Sequence, residues 1–235
     1  MSGADFAAMP APVAAGGGAA DRKLRRRERI LTAARVLVRA SGVDGFTMRT
    51  LAAGADVAFV TLYNYFGSKR AILCALAAQP EVDAMPAAED AEAIVELTFS
   101  ALDRFTEHYL QDPKLFKPVW LMLFEPSSEA SPVSLPSLNE SWARRLLSSA
   151  QAFGVLSESF SLEQVFELLD LLVRSAIQSW ASGALPQGRL RPTVCFGAAV
   201  ILAGAATPAW REQLQARALD WQAISHGFTN SRPRP

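Results

Sequence analysis

The sequence predicts an all-α protein: a small N-terminal helix-turn-helix unit joined to a larger helical domain. Three observations lead there. Apolar residues recur at helical spacing over most of the 235 residues, and no segment offers the alternating pairs that strands would need. The stretch Thr47 to Leu73, TMRTLAAGADVAFVTLYNYFGSKRAIL, reads as a short helix, a tight turn, a second short helix and the start of a third. The formal net charge of zero hides a division, with residues 1–80 at net +6 and residues 81–235 at net −6. A basic half that also holds a helix-turn-helix is the electrostatic footprint of nucleic-acid binding.

Met1 to Ala20 is Ala, Gly and Pro with little else, and is expected to be a disordered tail. Asp21 to Ser41 is the first predicted helix, with Ile30, Leu31, Ala34, Leu37 and Val38 as its apolar side. Its opening turns carry Arg22, Lys23, Arg25, Arg26, Arg27 and Arg29. Cations at a helix N-terminus oppose the macrodipole, so they do not serve the helix itself. Phosphate contact with counterion release explains them better.

Gly42 ends that helix, and Phe46 is placed to staple the next one ahead of its Thr47 cap. Met48, Leu51 and Ala52 form the second helix's apolar face. After the turn at Ala55-Asp56-Val57, Ala58, Leu62 and Phe66 fall on one side of the third helix. Phe59, Val60, Tyr63 and Asn64 fall on the other. An amide there can bind adenine bidentately, and an apolar side chain can meet a thymine methyl. The competing reading is that Phe59 packs on the protein itself. Gly67 closes the helix, and Ser68 caps a fourth that runs to about Ala78.

At these residues the segment resembles the DNA-binding signature of the TetR family of bacterial transcriptional regulators. The matching positions are Leu51-Ala52, the turn Ala55-Asp56-Val57-Ala58, the run Thr61-Leu62-Tyr63-Asn64-Tyr65-Phe66-Gly67-Ser68-Lys69, and Ile72-Leu73. The resemblance implies backbone or base contacts by Thr47 and Arg49, and phosphate-side contacts by Thr61, Tyr63, Tyr65 and Lys69. Arg25 and Arg26 join them on electrostatic grounds, and Phe59, Val60 and Asn64 as base readers. Two positions depart from the family pattern. Asp56 stands where the turn has Gly, and must take a left-handed conformation at some cost. Ala58 stands where a capping Ser is usual, and its loss is worth about 1 kcal/mol.

The domain boundaries follow: 1–20 tail, 21–78 DNA-binding unit with its connecting helix, 79–228 larger helical domain, 229–235 frayed end. In the larger domain, Ala91 to Leu110 shows Ile94, Leu97, Ala101, Phe105 and His108 on one face. Asp112-Pro113 opens an almost wholly apolar helix to Phe124, containing Pro118. Ser137 and Glu140 make a capping box for a helix with Leu138, Trp142, Leu146 and Phe153 inward, closed by Gly154. Ser161 and Gln164 open another, to Ser182. A Pro186–Pro192 loop, a Gly/Ala-rich helix Thr193–Ala206 and a last helix Ala209–Ser225 complete the chain.

By resemblance this second domain senses a ligand and dimerises. A dimer seam is expected at Leu172, Ala176, Gly197, Ala198, Ile201 and Ala205, with packing inside one chain as the alternative use of small residues. Phe105, Trp120, Met122, Phe124, Trp142, Phe166 and Trp180 are the expected lining of a pocket for a small apolar or planar effector, though aromatics in a core are the commoner case. Arg145, Glu167 and Arg174 are the nearest groups for a polar end of that effector.

The expected partners are a palindromic double-stranded DNA operator and a second copy of the chain, with no cofactor and no metal. Cys74 and Cys195 offer no ligand or disulfide spacing, and each is expected to be a buried apolar residue. No catalytic constellation is present, so an enzyme is not expected. The longest apolar run is too short to span a membrane and the N-terminus lacks signal-peptide features, so a cytoplasmic location is expected. The expected function is a repressor released by its effector. The alternatives are an activator, or a binding module of this fold that has lost specific DNA recognition.

Overall fold

The computed structural model describes residues 17–78, 87–125 and 140–227. Among them are ten α-helices: α1 Gly17–Ser41, α2 Met48–Gly54, α3 Phe59–Phe66, α4 Lys69–Ala77, α5 Ala91–Leu110, α6 Pro113–Phe124, α7 Glu140–Ala152, α8 Leu162–Ala181, α9 Leu190–Ala205 and α10 Pro208–Gly227. The sole β pairing among the described residues is a single bridge between Leu156 and Ala206. The all-α class expected from the sequence is what is found.

The small domain closes around Ile30, Leu31, Ala34 and Val38 of α1, which meet Phe46, Leu51, Leu62, Ile72, Leu73 and Leu76. Helices of seven to nine residues such as α2, α3 and α4 are not stable alone. Caps and turns set their ends. Thr47 Oγ1 accepts from the Thr50 N–H at 3.1 Å, and Thr50 Oγ1 accepts from the Thr47 N–H at 2.9 Å. This is a reciprocal capping box with Thr in the usual Glu position. Gly67 has φ +73°, a conformation that lets α3 stop and α4 start without a Cβ clash. Ser68 Oγ then accepts from the Ala71 N–H at 3.1 Å.

Several boundaries differ from the sequence expectation. α1 begins at Gly17, so the tail's last residues are helical. Ala19 and Ala20 are strong helix formers, and Asp21 pairs with Arg25 one turn on at 2.8 Å. The rest of the expected tail lies outside the described residues, as do the Ser137 cap, Leu138, most of the 79–88 linker and the end from 228. α9 starts at Leu190 after a 3₁₀ turn Gln187–Arg189, which shortens the expected loop. Pro192 sits in its first turn, where a missing N–H costs nothing. Ser161 precedes α8 without a side-chain capping bond. Phe153 is exposed rather than inward, because α7 ends one residue before it and the chain turns at Gly154 (φ +72°).

α5 buries a wider face than its strongest stripe suggested. Val95, Phe99, Leu102, Thr106 and Tyr109 are buried with Ile94, Ala101 and Phe105, whereas Leu97 and His108 are half-buried. The helix is covered on two sides, by α6 and α7 and by α9. An aromatic cluster of Phe105, His108, Tyr109, Phe116 and Trp120 ties α5 to α6, and Trp120 stacks on Phe124 at 5.3 Å. α6 is less enclosed than an all-round apolar helix requires, with Leu121 exposed.

Three polar ties join the small domain to α5 and α6. Arg39 Nε donates to the Asp112 carboxylate at 2.7 Å. That carboxylate also accepts the Leu115 N–H at the start of α6. Tyr109 Oη donates to the Ala77 carbonyl at the end of α4 at 2.9 Å. Arg70 Nη2 donates to the Leu123 carbonyl at 2.7 Å, and its Nη1 lies 3.4 Å and 3.5 Å from the Met122 and Glu125 carbonyls.

Candidate nucleic-acid interface

α3 rests on the small domain through Leu62, its one buried residue. Phe59 is 50% exposed, Val60 66% and Tyr63 57%, and Asn64 is exposed beside them. Phe59 is therefore half exposed rather than packed inward on the protein. Three large apolar or aromatic side chains and an amide stand free on one short helix, a surface that costs solubility unless something covers it. Thr61 and Tyr65 are half-buried at the flanks of this face, with Tyr65 packed against the core.

The turn ahead of α3 is built as the departures from the family pattern require. Asp56 has φ +50°, the only non-glycine in the left-handed region among the described residues. Its carbonyl accepts a hydrogen bond from Arg29 Nη2 at 3.0 Å, which holds the strained peptide from outside. Ala58 occupies the cap position of α3 in extended geometry with no side-chain bond.

The cations divide into two groups. Arg27 lies over the Phe66 ring at 5.7 Å and Arg29 serves the Asp56 turn, so both brace α3 and the turn before it. Arg22, Lys23, Arg25 and Arg26 project from the exposed first turns of α1. Arg25 pairs with Asp21 in full solvent, a bond that yields easily to a phosphate. Thr47 and Arg49 are exposed at the start of α2. Lys69 Nζ sits 4.7 Å from the Phe46 ring centre at the start of α4, half-buried.

The larger domain treats its expected site residues differently. Phe105, Trp120, Trp142, Phe166 and Trp180 are buried in the core, and Met122 and Phe124 are half-buried. Trp120 and Trp180 each bury an indole N–H that has no acceptor among the described residues. A narrow apolar cavity lies elsewhere, lined by Val95, Thr98, Phe99, Leu147, Ala150, Val155, Leu156, Leu202 and Leu214. None of the seven expected residues borders it. Phe124 instead lines an open groove with Leu121, Glu125, Gln178, Ser179 and Ser182. Arg145 and Glu167 are exposed, and Arg174 pairs with Asp170 at 2.6 Å, so none of the three points a free charge inward.

The expected dimer seam also needs correction. Ala176, Ala198 and Ala205 are buried inside the chain. A Cβ on Gly197 would lie 2.7 Å from the Leu172 methyls, so this glycine lets α9 approach α8 of the same chain. The outward apolar residues of these two helices are Leu168, Leu171 and Val200, with Leu172, Phe196 and Ile201 half-exposed beside them.

Both cysteines are buried. Burial raises the Cys74 thiol pKa, partly offset by Arg70, and pushes Cys195 up to about 12. Neither is poised as a reactive thiolate. Among the described residues no group of three or more His, Cys, Asp or Glu is placed to hold a metal, and no helix is long and apolar enough to cross a membrane.

Residues 30–76, from the middle of α1 to the end of α4, match the family model of the bacterial regulatory proteins, tetR family. Full-length TylP, a TetR regulator from Streptomyces fradiae, shares the fold with a TM-score of 0.58 at 17% identity, over 92% of this chain and 95% of that one. A TetR transcriptional regulator from Rhodococcus sp. RHA1 gives 0.55 at 23% identity, over 76% and 96%. One from Agrobacterium tumefaciens gives 0.51 at 17% identity, over 81% and 98%. The comparison with curated proteins gives no match.

Proposed function

We propose that the chain is a regulator of the TetR family, whose model its residues 30–76 match, and that it is a cytoplasmic transcriptional repressor whose homodimer reads a palindromic operator and lets go when a small, largely apolar effector binds the larger domain. The observation that carries this reading is the outward face of α3: Phe59, Val60, Tyr63 and Asn64, exposed on a helix whose one fully buried residue is Leu62. Asn64, Phe59 and Val60 read base edges, while Tyr63, Thr61 and Tyr65 fix the helix on phosphates.

The first turns of α1 extend this interface. Residues 17–29 stand ahead of the first buried position, Ile30, as about 20 Å of helix at 1.5 Å per residue. Arg22, Lys23, Arg25 and Arg26 on that arm, with Arg49 and Lys69, supply sequence-independent attraction. Dimerisation uses the outward residues Leu168, Leu171 and Val200 with Leu172, Phe196 and Ile201, in place of the buried alanines. A two-fold partner is what a palindrome requires. The apolar lining of the cavity at Val95, Phe99, Leu147, Leu156, Leu202 and Leu214 supports an effector that is small and largely apolar.

The test is binding of the full-length protein to random and to promoter DNA across a salt series. Each phosphate contact contributes roughly −0.9 to the slope of log affinity against log salt. A steep slope on both DNAs with tighter binding to the promoter fits the proposal. Affinity that ignores salt on both DNAs would sink it.

A further inference from the structure

We propose that Arg70 is a positioning residue that sets the separation of the two recognition helices in the dimer, by fixing the angle of α4 against the last turn of α6. The inference rests on the dimeric DNA-reader reading above.

Arg70 lies in the first turn of α4, where a cation opposes the helix macrodipole and an acid would serve better. Local stability therefore gives no reason for an arginine here. Its reason is in α6. The carbonyls of Met122 and Leu123 belong to the last turn of that helix, which has no intrahelical N–H to offer them. Arg70 supplies donors from another helix: a short bond to Leu123 and two longer approaches to Met122 and Glu125. The positive fork also sits at the negative end of the α6 dipole. At this site the same cation that is misplaced for its own helix is well placed for its neighbour.

The direction of the bond matters as much as its energy. Apolar packing between α4 and α6 is non-directional and tolerates a small roll of one helix on the other. A planar guanidinium meeting three carbonyls does not. Only Gly67 and Ser68 separate α3 from α4, so a roll of α4 carries the recognition helix with it. The other two ties act further from α3, Arg39 at the far end of α6 and Tyr109 at the far end of α4. Arg70 is four residues from Phe66, the last residue of α3, and is the tie nearest the DNA face. In a symmetric dimer any angular freedom at α4 appears twice, and so enters directly into the half-site spacing that the protein accepts.

The experiment compares wild type, Arg70→Lys and Arg70→Ala as full-length proteins. Wild type first selects its preferred sites from random DNA. Binding is then measured on duplexes bearing the selected half-site once, or as an inverted pair at the selected spacing and at one and two base pairs more or less. Wild type should lose about tenfold or more when the spacing is wrong, because a misplaced helix forfeits base contacts. Arg70→Ala should bind the single half-site within about twofold of wild type, lose about tenfold at the best spacing and respond only weakly to the rest of the series. Arg70→Lys, which offers one point donor in place of a fork, should fall between.

An unchanged spacing profile in Arg70→Ala would overturn the proposal. So would a parallel loss on the single half-site, which is the mark of a merely unfolded reader. If Arg70→Ala does not fold, Arg70→Lys carries the same comparison, and a wild-type profile in it overturns the proposal. Failure of wild type to bind any DNA would be seen first, and would count against the regulator reading rather than against Arg70.

Discussion

The two domains solve opposite problems. The small domain is made of helices too short to stand alone, and it spends its sequence on ends: the Thr47–Thr50 box, the Asp56 turn held by Arg29, Gly67 and the Ser68 cap. On the proposed reading, its outside is fixed by the DNA it touches. The larger domain has three helices of twenty residues each and an aromatic interior, and its stability lies in burial. The contrast teaches where information sits. In the reader it is on the surface at fixed spacing, whereas in the larger domain it is in the core, where many apolar sequences would serve.

The sharpest way to break that contrast is to truncate one side chain of each kind. Trp180→Ala, at a fully buried site, should cost about 3–5 kcal/mol of stability in a urea titration. Tyr63→Ala, on the exposed face, should leave the urea midpoint where it is and weaken binding to all DNA sequences alike. Equal losses of stability from both would mean that the reader's face is structural after all. Next in size, Asn64→Ala should relax preference at one base position, by about 1–3 kcal/mol of discrimination in a competition assay, with the other positions unchanged.

A gain should come from restoring what the reader lacks. Ala58→Ser places an oxygen at the empty cap of α3 and should stabilise the protein by about 1 kcal/mol, read as a higher thermal midpoint. The smallest effect concerns the seam between the domains. Burial, and secondarily Arg35, lowers the His108 pKa below its ordinary value of 6.5. The unfolded chain therefore takes up this proton at higher pH than the folded one. Stability from this group is complete above about pH 6.5 and declines as the pH falls towards the folded-state value. His108→Gln should flatten that part of a thermal-midpoint profile between pH 5 and 8, and an unchanged acid slope would count against it.

The legibility of the chain follows the same division. Gly67, Ser68, Thr47 and the outward residues of α3 were readable because turn geometry and helical spacing allow few alternatives. Asp56 and Ala58 were readable as departures, and the structure places the strain and the missing cap there. The second buried stripe of α5 was not readable, because a periodicity reports one face and this helix is covered on two. The seam through Ala176, Ala198 and Ala205 was misread for a different reason: small residues signal that some helix comes close, but not which one. Here it is a helix of the same chain, as Gly197 against Leu172 makes plain. Arg70 was legible only as a cation in a first turn. Its partners are backbone carbonyls, which carry no side-chain signature.

The way α3 is seated has one more consequence. Since Leu62, with Tyr65 and Phe66 beside it, anchors that helix on the core, Phe59, Val60 and Asn64 carry almost none of the burden of folding. Changes at those three positions can be accumulated without passing through unfolded intermediates. On the proposed DNA-reading role, the protein can be retargeted to a new sequence, by selection or by design, while Leu62 and the scaffold beneath it remain as they are.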